Sequence, residues 1–127
     1  MNAMRALQTA PYVNLRTFRK SGAAVDTPVW CAPGDDDELY IFSAGNAGKV
    51  KRLRNSDRAE LAVCDVRGKL LGEWVHARAE TVTDDAAVAR ALAALRAKYG
   101  WQMKLADLGA KLTGKFHRRA YIRATLV

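Results

Sequence analysis

The segment GNAGKVKRLRN, residues 45–55, combines the residue types that proteins use to bind phosphate. Asn46 is a suitable N-cap for a short helix, and Gly48 permits a ligand to approach the backbone closely. Free backbone N–H groups and the positive end of the helix dipole attract an anion at such a start. Lys49 and Arg52 add positive charge, so the segment has the residue types of an anion-binding turn. On spacing alone, a cationic helix of a basic protein is more often a solvated face, and a nucleic-acid patch is the third alternative.

Other reactive residues do not form a recognisable catalytic or metal-binding motif. The segment has no Walker lysine followed by Ser or Thr, and no dinucleotide glycine fingerprint follows a strand. His76 is typical of a surface or interface histidine, and His117 begins a cationic strand. Cys31 and Cys64 lack neighbours at metal-ligand spacing, so we expect reduced thiols inside strands and no metal site. No catalytic residue is assigned.

The elements that must position the turn follow from hydrophobic periodicity. Alternating segments predict strands over 12–20, 25–33, 39–44, 59–68, 71–82 and 115–127. The first two read as a hairpin, and Val75, Ala77 and Ala79 are expected to face a core. Thr83 to Asp85 suit a helix start, and a weaker helical signal spans 103–112. Between them, apolar residues recur at 3.6-residue spacing until Gly100, namely Val88, Leu92, Leu95 and Tyr99. The exposed side of this helix is expected to carry Arg90, Arg96 and Lys98. The pattern predicts a mainly β (α+β) fold, a small antiparallel six-stranded barrel with covering helices.

Composition limits the class of protein and its partners. The chain has 127 residues and is expected to form one domain over 1–127. With 21 Lys and Arg against 13 Asp and Glu, the formal net charge is +8, which favours anionic partners. No apolar run is long enough for a signal peptide or a membrane span, so we expect a cytoplasmic protein without a membrane partner.

Three segments carry a resemblance to a known family: TFRKSGAAVDTPVW (17–30), ELYIFSAGNAGKVKRLRNSDRAELAVCDVRG (38–68) and EWVHARAE (73–80). They resemble the flavin and deazaflavin oxidoreductases of the pyridoxamine 5′-phosphate oxidase-like (PPOX-class) superfamily, most closely its branch that uses coenzyme F-420. The resemblance implies an FMN-binding split barrel. It also implies hydride transfer between the deazaflavin and a small planar organic substrate, with flavin mononucleotide (FMN) as the alternative cofactor.

The resemblance also implies which residues bind the cofactor. Thr27, Pro28 and Val29 would support the ring, and Lys49 would hold the phosphate. The complete set of expected cofactor-binding residues is Thr27, Pro28, Val29, Ser43, Gly48, Lys49 and Arg52. Close relatives tend to have a small hydroxyl residue where this chain has Ala47, so one donor to the phosphate is missing, at a cost of about 1.5–3 kcal/mol.

Family resemblance further implies a homodimer with cofactor sites at the subunit interface. A barrel this small is expected to leave Trp74 and Tyr121 on outer faces that a partner would cover. Two other functions remain open. One is a non-enzymatic carrier of a flavin or haem. The other is a nucleic-acid-binding barrel, suggested by Lys111, Lys115, Arg118, Arg119 and Arg123, although exposed aromatic residues do not alternate with these cations and nucleic acid is not expected.

Overall fold

The computed structural model describes residues 3–35, 37–44, 48–112 and 119–127. Over these residues the chain forms, in order, α1 (Ala3–Thr9), β1 (Tyr12–Phe18), β2 (Ala24–Val29), β3 (Cys31–Pro33), β4 (Glu38–Ala44), α2 (Gly48–Asn55), β5 (Arg58–Cys64), β6 (Val75–Val82), α3 (Asp85–Tyr99), α4 (Trp101–Leu112) and β7 (Arg119–Leu126). Within these ranges, no helix is both long enough and apolar enough to cross a lipid bilayer.

The strands form one curled sheet in the order β2-β1-β5-β6-β7-β4-β3, and all of its ladders are antiparallel. The predicted antiparallel split barrel with covering helices is confirmed. Seven strands are present in the described residues rather than six, because the segment 25–33 divides at Trp30. Its first part, β2, pairs with β1, whereas β3 pairs with β4. Pro28 lies in β2, an edge strand, where a missing N–H does not break a central ladder.

The alternation of β1 and β6 fixes which side chains enter the core. Val13, Leu15 and Thr17 share one face of β1 and are fully buried. On β6, Ala77 and Ala79 are buried while the intervening Arg78 is exposed, so the predicted register is confirmed.

Helix α3 begins and ends at the residues that its sequence predicts, and its apolar face packs against the sheet. Asp84 caps the helix, its Oδ2 accepting from the Ala87 N–H at 3.0 Å, and Gly100 ends it at a φ of 53°. The sequence also predicts that Lys98 lies on the exposed side of this helix, and that prediction is wrong. Lys98 is half-buried and its Nζ donates to the Ala10 carbonyl at 2.7 Å.

Of the two aromatic residues expected on outer faces, the fold buries Tyr121 and leaves Trp74 partly exposed. Tyr121 is buried against α3, contrary to the prediction. Trp74 is half-buried, with the Arg16 guanidinium 3.8 Å from the centre of its ring. The large exposed apolar side chains lie instead mainly on α4 and in the connection between β5 and β6.

Candidate cofactor-binding cleft

A cleft of about 310 Å³ lies where the end of β2, the end of β4 and the start of α2 meet. Residues from five elements and the β2–β3 junction line it: Tyr12, Pro28, Val29, Trp30, Phe42, Ser43, Lys49 and Ala106. The fold therefore brings together four of the expected cofactor-binding residues, Pro28, Val29, Ser43 and Lys49. They come from three separate parts of the chain.

The other three expected residues flank the cleft without lining it. Thr27 is half-buried in β2, where it pairs with Leu15. Gly48 begins α2, and a Cβ there would lie only 2.7 Å from Arg52 Nη1. The Arg52 Nε in turn donates to Thr17 Oγ1 at 2.5 Å. Arg52 is thus held against β1, next to the cleft.

Helix α2 directs one lysine into the cleft and another to solvent. Val50 and Leu53 are buried, as their spacing predicts, and they fix the rotation of the helix. Lys49 is half-buried and lines the cleft, whereas Lys51 is exposed. This difference follows from helical geometry, since residues two apart do not share a face.

The cationic side of the cleft lacks a neutralising acid among the described residues. Burial lowers the pKa of Lys49 below its ordinary value, and the nearby charge of Arg52 lowers it further. Partial burial lowers the pKa of Arg52 as well, with a contribution from Arg19. An anion bound at this position would relieve this repulsion. We call Lys49 and Arg52 the cationic wall.

The aromatic side chains of Trp30 and Phe42 also line the cleft, and one of them stacks on a tyrosine of α3. The Trp30 ring stacks on Tyr99, with centroids 4.7 Å apart and planes 12° apart, and Phe42 lies 6.1 Å from Trp30. The Tyr99 hydroxyl donates to the Pro11 carbonyl and accepts from the Cys31 N–H, each at 2.9 Å. We call Trp30 and Phe42, which line the cleft, together with Tyr99, on which Trp30 stacks, the aromatic wall.

The buried thiol and phenol at the aromatic wall stay protonated at neutral pH. Complete burial raises the pKa of the Cys31 thiol to about 12, which suppresses the reactive thiolate at neutral pH. Burial also raises the pKa of Tyr99. Cys31 and Cys64 are both buried in strands, as predicted. In the parts of the chain described here, no group of His, Cys, Asp and Glu is arranged to hold a metal ion.

Some residues singled out in the sequence lie elsewhere or outside the described residues. His76 is exposed on the sheet, with Nδ1 3.7 Å from Glu60 Oε2, and does not line the cleft. Asn46, Ala47 and His117 lie outside the described residues. Four lining residues were not among those expected from the sequence: Tyr12, Trp30, Phe42 and Ala106. Phe42 precedes Ser43 in β4, so strand alternation would have placed it on the other face, and Ala106 comes from a distant helix and carries no local signal.

Two of the cations suggested as a nucleic-acid surface form ion pairs with acids of the same chain. Arg119 Nη1 donates to Asp107 Oδ1, and Arg123 donates to Glu80. Lys115 and Arg118 lie outside the described residues, as does the side chain of Lys111. The described part of this series is therefore an ion-paired surface, which does not favour the nucleic-acid interpretation.

The fold defines the chain as a split-barrel protein, and its cleft brings a half-buried lysine together with aromatic side chains. Comparison with protein families gives a narrower assignment: the family model described as pyridoxamine 5′-phosphate oxidase matches residues 2–125. The chain belongs to this family. No curated protein matches the sequence significantly.

Solved structures share the fold at low sequence identity. Rv2991, a conserved hypothetical protein from Mycobacterium tuberculosis, aligns with a TM-score of 0.69 and 19% identity over 97% of this chain and 79% of its own. HutZ, the heme storage protein from Vibrio cholerae, aligns with a TM-score of 0.69 and 11% identity, over 97% of this chain and 86% of its own. HupZ from Group A Streptococcus aligns with a TM-score of 0.64 and 18% identity, over 100% of this chain and 94% of its own. At these identities the likeness shows the fold alone.

Proposed function

We propose that the protein binds a phosphate-bearing deazaflavin or flavin in the cleft and uses it as an oxidoreductase. Coenzyme F-420 is the first candidate and FMN the alternative. The observation that carries the proposal is the meeting of a half-buried lysine and an aromatic surface in one cleft. A planar ring with a phosphate needs both.

The cationic wall suits the phosphate. Lys49 is partly desolvated and has no acidic partner among the described residues. An incoming anion would therefore pair with a cation that folding has already partly removed from water. One charge-assisted hydrogen bond of this kind contributes about 1.5–3 kcal/mol. Ser43, at the end of β4, adds a hydroxyl to the same cleft.

The apolar residues suit the ring system. Pro28 and Val29 form one apolar surface, and Trp30 and Phe42 form another. Because Trp30 is stacked on Tyr99, its ring cannot turn freely when a ligand enters, so little order has to be gained on binding. These residues would orient the ring and keep water from it.

When bound, the cofactor supplies the carbon or nitrogen that gives or takes a hydride. The chain supplies position and electrostatics, and its described lining residues include no paired carboxylates or histidine.

We further propose that the protein is a cytoplasmic homodimer. A cleft of about 310 Å³ lies at the small end of ligand sites, about 300–1,000 Å³, and a second copy would enclose the ligand more fully. The two buried, unpaired cysteines support the location.

A carrier of haem is the second candidate, because HutZ, which shares the fold, is named as a heme storage protein. Iron in haem is commonly held by His, Cys, Met or Tyr. Among the described lining residues, Tyr12 alone is of these types. The cleft therefore supports the flavin-type proposal better.

Titration of the purified protein with F-420, FMN and haem, followed side by side by absorbance and fluorescence, tests the proposal. We expect saturable micromolar binding of F-420 or FMN, and hydride exchange between the bound cofactor and small planar acceptors. Binding without any turnover would indicate a carrier. Binding of haem alone, or of none of the three, would contradict the proposed function.

A further inference from the structure

Helix α4 turns its most apolar side chains toward solvent. Four large side chains are exposed on it: Trp101 (69%), Leu105 (60%), Leu108 (55%) and Leu112 (79%). We call these four residues the α4 stripe. Their spacing of four, three and four residues places them on one narrow face of the helix. Isolated exposed leucines are common, but a continuous row of this kind marks an interaction surface.

The opposite side of α4 is the one that packs on the protein. Met103 is fully buried and Asp107 is 7% exposed. Ala106 contributes to the wall of the cofactor cleft. The helix is thus fixed in place by a mixed polar and apolar side, and the α4 stripe makes no contribution to the core.

Among the described side chains of α4, the charge that faces outward is basic. Asp107 is the only acid in the helix, and it is turned inward, where Arg96 Nη2 lies 2.9 Å from Oδ2 and Arg119 pairs with Oδ1. These arginines hold the pKa of Asp107 below its ordinary value, although its burial acts in the opposite sense. Lys104 is exposed on the same helix. The outward side of α4 is therefore apolar and basic.

We propose that the α4 stripe lies in the surface of a lipid bilayer that contains anionic lipids. Leucines on one face of a helix enter the boundary between headgroups and acyl chains, tryptophan favours that same depth, and a flanking lysine meets anionic headgroups. The net charge of +8 adds a long-range attraction to such a surface. The inference departs from the expectation of no membrane partner, which rested on spanning segments alone.

A second copy of the chain fits the α4 stripe less well. Pairing two stripes would bring one basic flank, which includes Lys104, toward the other without an acid from either α4 between them. Like charges brought together at an interface oppose association. An anionic bilayer satisfies both the apolar and the basic part of the same surface.

Co-sedimentation with vesicles of phosphatidylcholine, with and without phosphatidylserine, tests the proposal on the full chain. The test variant is Leu105→Gln with Leu112→Gln, and the control is Val66→Gln with Leu71→Gln, two comparably exposed residues of the β5–β6 connection. We expect wild type and control to bind vesicles with phosphatidylserine. The stripe variant should lose at least about tenfold in affinity, since two leucines no longer leave water.

Lys104→Gln isolates the electrostatic part without changing the apolar residues, and Lys20→Gln, at another exposed position, is its control. We expect a loss of about fivefold for Lys104→Gln on phosphatidylserine vesicles and a smaller one for Lys20→Gln. Failure of wild type to bind, or equal binding by the stripe variant, would overturn the proposal. Light scattering that shows dissociation of an oligomer in the stripe variant, with no vesicle binding by wild type, would assign the stripe to contact between copies.

Discussion

The aromatic wall and the cationic wall of the cleft are held in place by different kinds of interaction. In the aromatic wall, Tyr99 is buried, stacked on Trp30 and hydrogen-bonded through its hydroxyl to Pro11 and Cys31. In the cationic wall, Lys49 is half-buried beside a second cation, and its pKa is lowered because its charge is poorly solvated. The Tyr99 hydroxyl has both its donor and its acceptor partner, whereas Lys49 has no acidic partner among the described residues.

Because of this difference, the aromatic wall is expected to contribute mainly to the stability of the fold and the cationic wall mainly to ligand binding. Buried groups with satisfied hydrogen bonds stabilise the fold, and removing one partner leaves the other unpaired at a cost of about 1–3 kcal/mol. A desolvated cation without an acid adds little to stability and gains most when an anion arrives. We therefore expect substitutions in the aromatic wall to lower the free energy of unfolding, and substitutions in the cationic wall to weaken ligand binding with little effect on stability.

The largest effect is expected from the packing behind the aromatic wall. Leu95 of α3 is fully buried in the cluster that contains Tyr99 and Met103. Leu95→Ala should lower the free energy of unfolding by about 2–5 kcal/mol, because it removes buried apolar area and leaves a cavity. Urea denaturation measures the change. A loss no greater than that of the exposed control Leu71→Ala would mean that the wall does not rest on packed α3.

Removal of one hydroxyl should have a smaller effect on the same wall. Tyr99→Phe keeps the ring stacked on Trp30 but leaves the buried Cys31 N–H without its acceptor. The expected loss of unfolding free energy is about 1–3 kcal/mol in urea denaturation. Tyr12→Phe, which removes a hydroxyl from the open cleft, is the control. Equal losses for the two variants would show that the Tyr99 hydrogen bonds do not hold the wall.

Alkaline pH should lower the stability of the fold through Cys31, whose backbone N–H donates to Tyr99 of the aromatic wall. The folded-state pKa of Cys31 is about 12, above its ordinary 9.0. The stabilising contribution of the protonated thiol is complete below pH 9 and is lost as the pH rises toward 12, because the unfolded chain releases the proton first. The expected loss is about 1.4 kcal/mol per pH unit in this window. Cys31→Ala should reduce the slope of stability against pH, and an unchanged slope would exclude this thiol as its source.

The smallest effect on stability is expected in the cationic wall. Lys49→Ala removes a charge that lies beside Arg52 and is paired with no described acid. The free energy of unfolding should change by no more than about 0.5 kcal/mol. A destabilisation as large as that of Tyr99→Phe would show that both walls maintain the fold, and the comparison between them would fail.

Local periodicity was sufficient to predict much of the fold. The alternation of β6 and the cap and spacing of α3 are local properties, so Ala77, Asp84 and Leu95 were placed correctly. The division of 25–33 at Trp30 was not predicted, because it depends on β3 pairing with β4 rather than with β1. The burial of Lys98 was missed for a related reason, since its acceptors lie far away in the chain.

The site could be predicted only in part from the sequence. The family resemblance and the helix pattern placed Pro28, Ser43 and Lys49 together, and the fold has them in one cleft. Arg52 and Thr17 meet through a contact between α2 and β1 that no spacing shows. The outward direction of the α4 stripe was also hidden, because an apolar helical pattern does not reveal which side the rest of the protein covers.

Isothermal titration of Lys49→Ala and Lys51→Ala with F-420 and FMN, at low and high salt, tests the central claim most directly. Lys49 lines the cleft and Lys51 is exposed on the same helix, so the two variants remove the same charge from different places. We expect Lys49→Ala to lose about 1.5–3 kcal/mol of binding free energy, or roughly tenfold to a hundredfold in Kd, and Lys51→Ala to lose far less. Equal losses that vanish at high salt would show a diffuse cationic surface and contradict the account of a phosphate site at Lys49.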